Sequence, residues 1–182
     1  QPKSYIDMNL KAKVHLSKAV LTTTLITTVI IIVGLVLLVN PFLQEECSPG
    51  MKLGFFIAYI AILAVLLATP LFKPLCLKLD DEALHIVFPF HRATIPLSEI
   101  QSVEDYANYK GTIGFRVFGS GGYWGYLGKF YCKGIGRYTA YAADLGNAFY
   151  IRLHSGRVYL LSCNDKQEFM KRLTPARKNS VI

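Results

Sequence analysis

The stretch Ala19–Val39 reads AVLTTTLITTVIIIVGLVLLV and carries no charged residue. As a helix it would rise about 31 Å, which matches a bilayer hydrocarbon core of about 30 Å. The charge-free run continues to Gln44. Thr22, Thr23, Thr24, Thr27 and Thr28 lower the hydropathy of its first half. A helical threonine can donate its hydroxyl to the preceding turn, so such a helix remains compatible with lipid. The run is too long for the apolar part of a signal peptide and has no obvious small-residue cleavage site. A second uncharged run, Gly54–Phe72, reads GFFIAYIAILAVLLATPLF, with Pro70 near its end, where a missing N–H costs little. A soluble core burying both runs would need far more chain than 182 residues. The two runs therefore predict a pair of transmembrane helices, at about 19–39 and 54–72.

Between them lies Asn40–Lys52, NPFLQEECSPGMK, in which Asn40-Pro41 and Ser48-Pro49-Gly50 are turn chemistry. The helices are thus expected to be antiparallel neighbours. Lys3, Lys11, Lys13 and Lys18 precede the first run, and Lys73 and Lys78 follow the second. The loop holds Lys52 beside Glu45 and Glu46. This lysine bias predicts a multi-pass protein of the cell membrane with both termini cytoplasmic. Cys76, Cys132 and Cys163 would then face a reducing compartment, and Cys47 would stand alone outside. The chain begins with Gln1 rather than Met, so a short N-terminal piece is expected to precede it.

The mean hydropathy of +0.34 coexists with a net charge of +8, because the apolar and basic residues occupy different stretches. From Lys73 onward there are 15 Lys and Arg against 9 Asp and Glu, so about +6 of the charge lies here. The pattern turns to period two with β-branched and aromatic residues from about Leu75. Strands are predicted near 76–79, 84–88, 92–96, 100–106, 115–118, 137–142, 148–154 and 157–162. Asn164 or Asp165 then caps a helix running to about Leu173, with Phe169, Met170 and Leu173 on its apolar side and Pro175 as its stop.

The stretch Arg116–Gly128, RVFGSGGYWGYLG, continued by Gly136–Ala142, GRYTAYA, resembles the bacterial PH-domain family. That family carries a glycine- and aromatic-rich segment and then a strand of pattern G-x-Y-x-A-Y-A-T. Here Ala142 is followed by Ala143 rather than threonine. The resemblance covers roughly Leu75–Leu173 and implies an open-ended β-barrel with a C-terminal helix, often preceded by paired transmembrane helices. The expected fold is α+β: a two-helix transmembrane hairpin followed by a PH-like antiparallel β-barrel or sandwich with a C-terminal capping helix. Its expected segments are a cytoplasmic N-terminal segment 1–18, the hairpin 19–72, the PH-like domain 73–173 and a basic tail 174–182.

The glycine-rich segment is the most unusual feature. As a phosphate loop it fails: no Gly-Lys-Ser/Thr follows, and Trp124 stands where G-x-G-x-x-G requires its last glycine. Two readings remain open. It is a long hairpin whose aromatics cover the domain's own core and whose glycines permit bulges. Or Tyr123, Trp124, Tyr126 and Phe130, with Lys129 and Lys133 beside them, contact the membrane interface or a partner. His15, His85, His91 and His154 are dispersed, with His85 and His154 read as half-buried strand residues, and no Cys/His cluster has metal-ligand spacing. No catalytic residue, cofactor site or metal site is predicted. The expected function is a membrane-tethered, non-enzymatic PH-like module that binds anionic lipid headgroups, a protein partner, or both. Two other functional classes follow from the same features: an oligomerising structural membrane protein, or a membrane enzyme or sensor with a ligand in the barrel mouth. No nucleic-acid motif appears.

Overall fold

A computed structural model describes residues 10–43, 48–110, 112 and 114–179. Lys3, Glu45, Glu46 and Cys47, used above to argue orientation and compartment, lie outside the described residues. The order of elements begins with a strand, β1 (Leu10–Lys13), ahead of the first long helix, α1 (Lys18–Leu43). Ser17 starts that helix, its hydroxyl accepting from Val20 N at 3.2 Å, as a serine N-cap does. Asn40-Pro41 does not turn the chain, and the helix runs on to Leu43. A proline so near a helix end forfeits one hydrogen bond and no more. Ser48 caps α2 (Pro49–Ala68) by accepting from Met51 N at 3.4 Å, and Pro49 sits in the first turn. The two helices touch, and both are long and apolar enough to cross a membrane. A 3-10 turn, Thr69–Phe72, leads back to β2 (Cys76–Leu79).

Strand β1 pairs antiparallel with β2, from Leu10 opposite Leu79 to Lys13 opposite Cys76. The helix pair is therefore a long connection between two neighbouring strands of one sheet. That sheet continues through β3 (Ala83–Val87) and β4 (Arg92–Pro96). Backbone bonds from Val14 N to Leu75 O, Ser17 N to Ala143 O and Asn164 N to Lys13 O fix the segment ahead of α1 to the domain.

The second sheet contains β5 (Ile100–Asp105), β6 (Gly114–Gly121), β7 (Tyr126–Cys132), β8 (Gly136–Ala142), β9 (Ala148–Leu153) and β10 (Val158–Ser162), in the order β5-β9-β10-β8-β7-β6. Sequence periodicity assigns no strand to β1 or β7. The sheets do not close into a barrel, and β8 and β10 run parallel where an antiparallel arrangement was expected. The parallel pair arises because β9, which follows β8, lies beyond β10 and returns antiparallel to it.

Strand β9 is buried on both faces, as its near-continuous apolar run AFYIRL requires. Phe149, Ile151 and Leu153 meet Leu77, Leu84 and Ile86 of the four-stranded sheet in one core. Ala148 and Tyr150 join Phe130, Ala140 and Leu160 in a second core on the other face. The helix α3 (Lys166–Asn179) closes the first core with Phe169 and Leu173. It runs through Pro175 rather than stopping there, since one absent N–H interrupts the bond ladder without ending it. Thr174 meanwhile donates its hydroxyl to Met170 O at 2.9 Å.

The Phe149 ring packs 5.9 Å from that of Phe169, and neither is exposed beyond 1%. Phe149→Ala should therefore cost about 3–5 kcal/mol. Denaturant unfolding of the full chain in detergent, followed by far-UV circular dichroism, would measure the loss.

Candidate functional site

The glycine- and aromatic-rich segment folds as the hairpin of β6 and β7. Gly119 and Gly128 stand opposite each other in it. Their φ values are 115° and 121°, and a Cβ on either would collide with the backbone of the other strand. Glycine here allows an approach that no side chain permits. A register shift between Arg116 and Phe118 adds a bulge.

The hairpin turn lies against α1. Trp124, at φ 58°, donates its backbone N–H to Thr24 Oγ1 at 2.9 Å. The Thr24 hydroxyl donates in turn to Val20 O at 2.8 Å within α1. One buried hydroxyl thus satisfies a helix carbonyl and a loop amide together. Gly122 rests on the Thr23 methyl, and the Tyr123 hydroxyl lies 3.5 Å from Thr28 Oγ1. The threonines that weaken the first apolar run are the contact points for this turn.

Period two then divides the strands. On one face, Phe118, Lys129, Thr139 and Tyr159 stand in register across β6, β7, β8 and β10. Phe115 and Tyr131 pair one row along, beside Arg137. Phe118 is 76% exposed and Phe115 60%. Neither Lys129 nor Arg137 makes an ion pair among the described residues, whereas Arg157 reaches Glu99 at 3.4 Å. The four-stranded sheet covers this face at β9 and reaches β8 at Tyr141, whose ring lies 5.1 Å from that of Phe88, while Lys129, Tyr131 and Arg137 stay exposed. At that end a groove of about 650 Å³ separates Phe118, Leu127 and Tyr141 from Val65 and Ala68 at the end of α2 and Phe72 in the turn after it.

The opposite face is concave and holds a cavity of about 300 Å³. Strands β5 and β6 are the two edges of the sheet, so the chain between them must cross this face. A 3-10 turn, Tyr106–Tyr109, makes the crossing and puts Tyr106 and Tyr109 beside Tyr126, Tyr138 and Tyr150. Tyr109 donates its hydroxyl to Glu104, which also accepts from Ser102 at 2.9 Å. These bonds, the one from Tyr109 first, hold the Glu104 carboxyl below its ordinary range. Burial alone would raise Asp105. Hydrogen bonds from Lys166 at 2.8 Å, from Ala107 N and from Gln167 outweigh it, and the carboxyl lies below its usual value. Burial raises the phenols of Tyr106, Tyr138 and Tyr150, so they stay protonated and able to donate.

The six residues singled out from sequence do not form one surface. Tyr123 and Trp124 sit half-buried at the turn on α1, and Lys129 stands exposed on the open face. Tyr126 lines the cavity, and Phe130 is buried in the second core. Lys133 is exposed in the turn after β7. Phe115, Phe118, Tyr131 and Arg137 were not singled out, because pairing them with Lys129 requires the register of β7. His85 is a half-buried strand residue, as expected, bonded to Thr94 at 3.0 Å and Asp80 at 2.7 Å, whereas His154 is exposed in the turn after β9.

A family model described as bacterial PH domain matches residues 76–176. That span includes β2 to β10 and most of α3, and omits β1 and the helix pair. Comparison with curated proteins and with solved structures returns no match.

Two outcomes follow from this geometry. Thr24→Val should leave the Trp124 amide without its partner and cost about 1–3 kcal/mol, whereas Thr24→Ser should cost little. Thermal unfolding and the exchange rate of the Trp124 amide read this directly. Asp105 has a folded pKa below its unfolded value of about 3.9, so it stabilises the fold above that pH. The contribution is lost as pH falls through the folded value. Lys166→Met should accordingly move the acid unfolding transition to higher pH in a circular dichroism titration.

Proposed function

The chain belongs to the bacterial PH-domain family, and on that footing we propose that it is a membrane-tethered binding module whose open β6–β8 face engages anionic lipid headgroups. Its helix pair crosses the cell membrane, and both ends of the pair lie on the cytoplasmic side. Several features support this reading. Helix α2 buries none of its residues, and few of α1 are covered. A core helix of a soluble protein would be mostly enclosed. Exposed apolar surface on this scale marks contact with lipid or protein. The lysines before α1 and after α2 favour the cytoplasm for both helix ends.

The observation that carries the proposal is the position of the hairpin along the helices. Thr24, which holds its turn, lies about 9 Å along α1 from Lys18. At 26 residues α1 is about 39 Å long, roughly 9 Å more than the hydrocarbon core of about 30 Å. With that excess on the domain's side, the helix up to Thr24 lies in the interfacial layer and Tyr123, Trp124 and Phe118 at headgroup level, where amphipathic rings are favoured. Lys129 pairs with Phe118 and Arg137 stands one row along beside Tyr131, both without acidic partners among the described residues. Each cation near an anionic surface contributes about 1 kcal/mol, attenuated by salt. The action is recognition rather than catalysis, the general mode of PH domains. Tethering raises the effective concentration of the face at the lipid, so weak individual contacts suffice.

The test uses the full chain in lipid nanodiscs with a spin label at Phe118→Cys and a control label at Glu168→Cys on α3. In discs containing phosphatidylglycerol, the label at 118 should be protected from a water-soluble relaxation agent and reached by one dissolved in lipid. The label at 168 should show the reverse. Lys129→Glu with Arg137→Glu should reduce the protection at 118. Equal water access at the two positions would sink the reading, and so would protection indifferent to lipid charge.

A further inference from the structure

The cavity on the concave face has no part in the membrane reading, and its chemistry is of one kind. Three of its phenols have a hydroxyl proton uncommitted among the described residues. Tyr106 and Tyr126 have no hydrogen-bond partner there, and Tyr138 accepts from Tyr150 and so keeps its own O–H. No buried side-chain nitrogen or oxygen is left unsatisfied among the described residues, so the unpaired hydroxyls of Tyr106 and Tyr126 reach solvent or the cavity. Arg116 pairs with Phe130 on this face and lines the cavity. It has no ion pair among the described residues. No carboxylate lines the cavity among the described residues, and Glu104, which holds Tyr109, is already engaged by Tyr109 and Ser102. The remaining walls are ring faces, the apolar side chains of Ala140, Leu145 and Leu160, the Cys132 thiol and Thr112, whose hydroxyl is already committed to Tyr109 O at 2.6 Å.

A space lined by hydroxyl donors and one guanidinium, with no free carboxylate, selects an acceptor-rich anion and disfavours a cation. One uncompensated cation matches one negative charge. A volume of about 300 Å³ is at the small end for ligand pockets and excludes a nucleotide or a lipid. We infer that this cavity binds a small monocarboxylate carried on a compact aromatic or apolar body. The carboxylate lies among the hydroxyls of Tyr106, Tyr126 and Tyr138 with Arg116 at the mouth, and the body packs against Leu145 and Leu160.

The cavity also contains its own reporter. All three described cysteines are buried, but Cys132 lines the cavity, whereas Cys76 and Cys163 lie in other parts of the domain. The full chain in detergent is titrated with benzoate, with benzyl alcohol and benzylammonium as controls of the same size. Saturable benzoate binding by calorimetry is expected, with little from either control. Tyr106→Phe with Tyr126→Phe keeps both rings and should weaken benzoate at least about tenfold, as loss of hydrogen bonds to a charged group does. In the unaltered chain, benzoate should slow alkylation of Cys132 by iodoacetamide and leave Cys76 and Cys163 unchanged. That measurement decides the matter even if the double variant does not fold. Absence of saturable benzoate binding, equal binding of benzylammonium, or no protection of Cys132 overturns the inference.

Discussion

The pairing of β1 with β2 is the constraint on which the rest depends. It places a strand from before the helix pair beside a strand from after it, so both feet of the pair are held in one sheet. The bonds from Ser17 to Ala143 and from Leu75 to Val87 complete the clamp at the points where the chain leaves and re-enters the domain. A domain attached at one point by a linker could take any orientation toward the helices. Held at two adjacent points, it has little freedom to swing. The bond between Thr24 and Trp124 then acts at a third point, on the opposite sheet, and sets which end of the second sheet lies along the helices.

That sheet has six strands and the sheet packed on it has four, so one cannot cover the other. The uncovered end is β6, β7 and the start of β8, and the feet of the helix pair lie against it. The same inequality gives the concave face its character. Because β5 and β6 occupy opposite edges, the chain must cross between them, and tyrosines are suited to that task. A phenol ring offers apolar area to the core and a hydroxyl to the opening, and Glu104 fixes the crossing by accepting from one of them.

Much of this was legible in the sequence. The two apolar runs stand out as long helices because neither carries a charge or meets a breaker before its end, and the period-two segments matched strands at most positions. Strand β1 was not legible: LKAK is too short and too polar, and its stability comes from pairing with β2 across the whole helix pair. Strand β7 was hidden by the glycines in and around it, which lower strand propensity, yet the close approach of Gly119 in β6 and Gly128 in β7 requires them. Missing β7 had a direct consequence at the site. Without its register, Lys129 and Phe130 looked like neighbours on one surface, whereas the pleat sends one outward and the other into the core. The five tyrosines of the cavity come from four separate elements and share no local pattern.

The threonines of α1 show how one set of residues meets two demands. In a purely lipid-facing helix they would only weaken insertion, each hydroxyl occupied with the preceding turn. Thr24 makes that bond and also accepts the Trp124 amide, which would otherwise lack this partner at the half-buried turn. A valine would strengthen the helix's hydropathy and release the hairpin. The requirement for polarity in the first half of the run is therefore set by the β-hairpin, a hundred residues further along the chain. The loss of hydropathy there is the cost of a fixed angle between the domain and its helices.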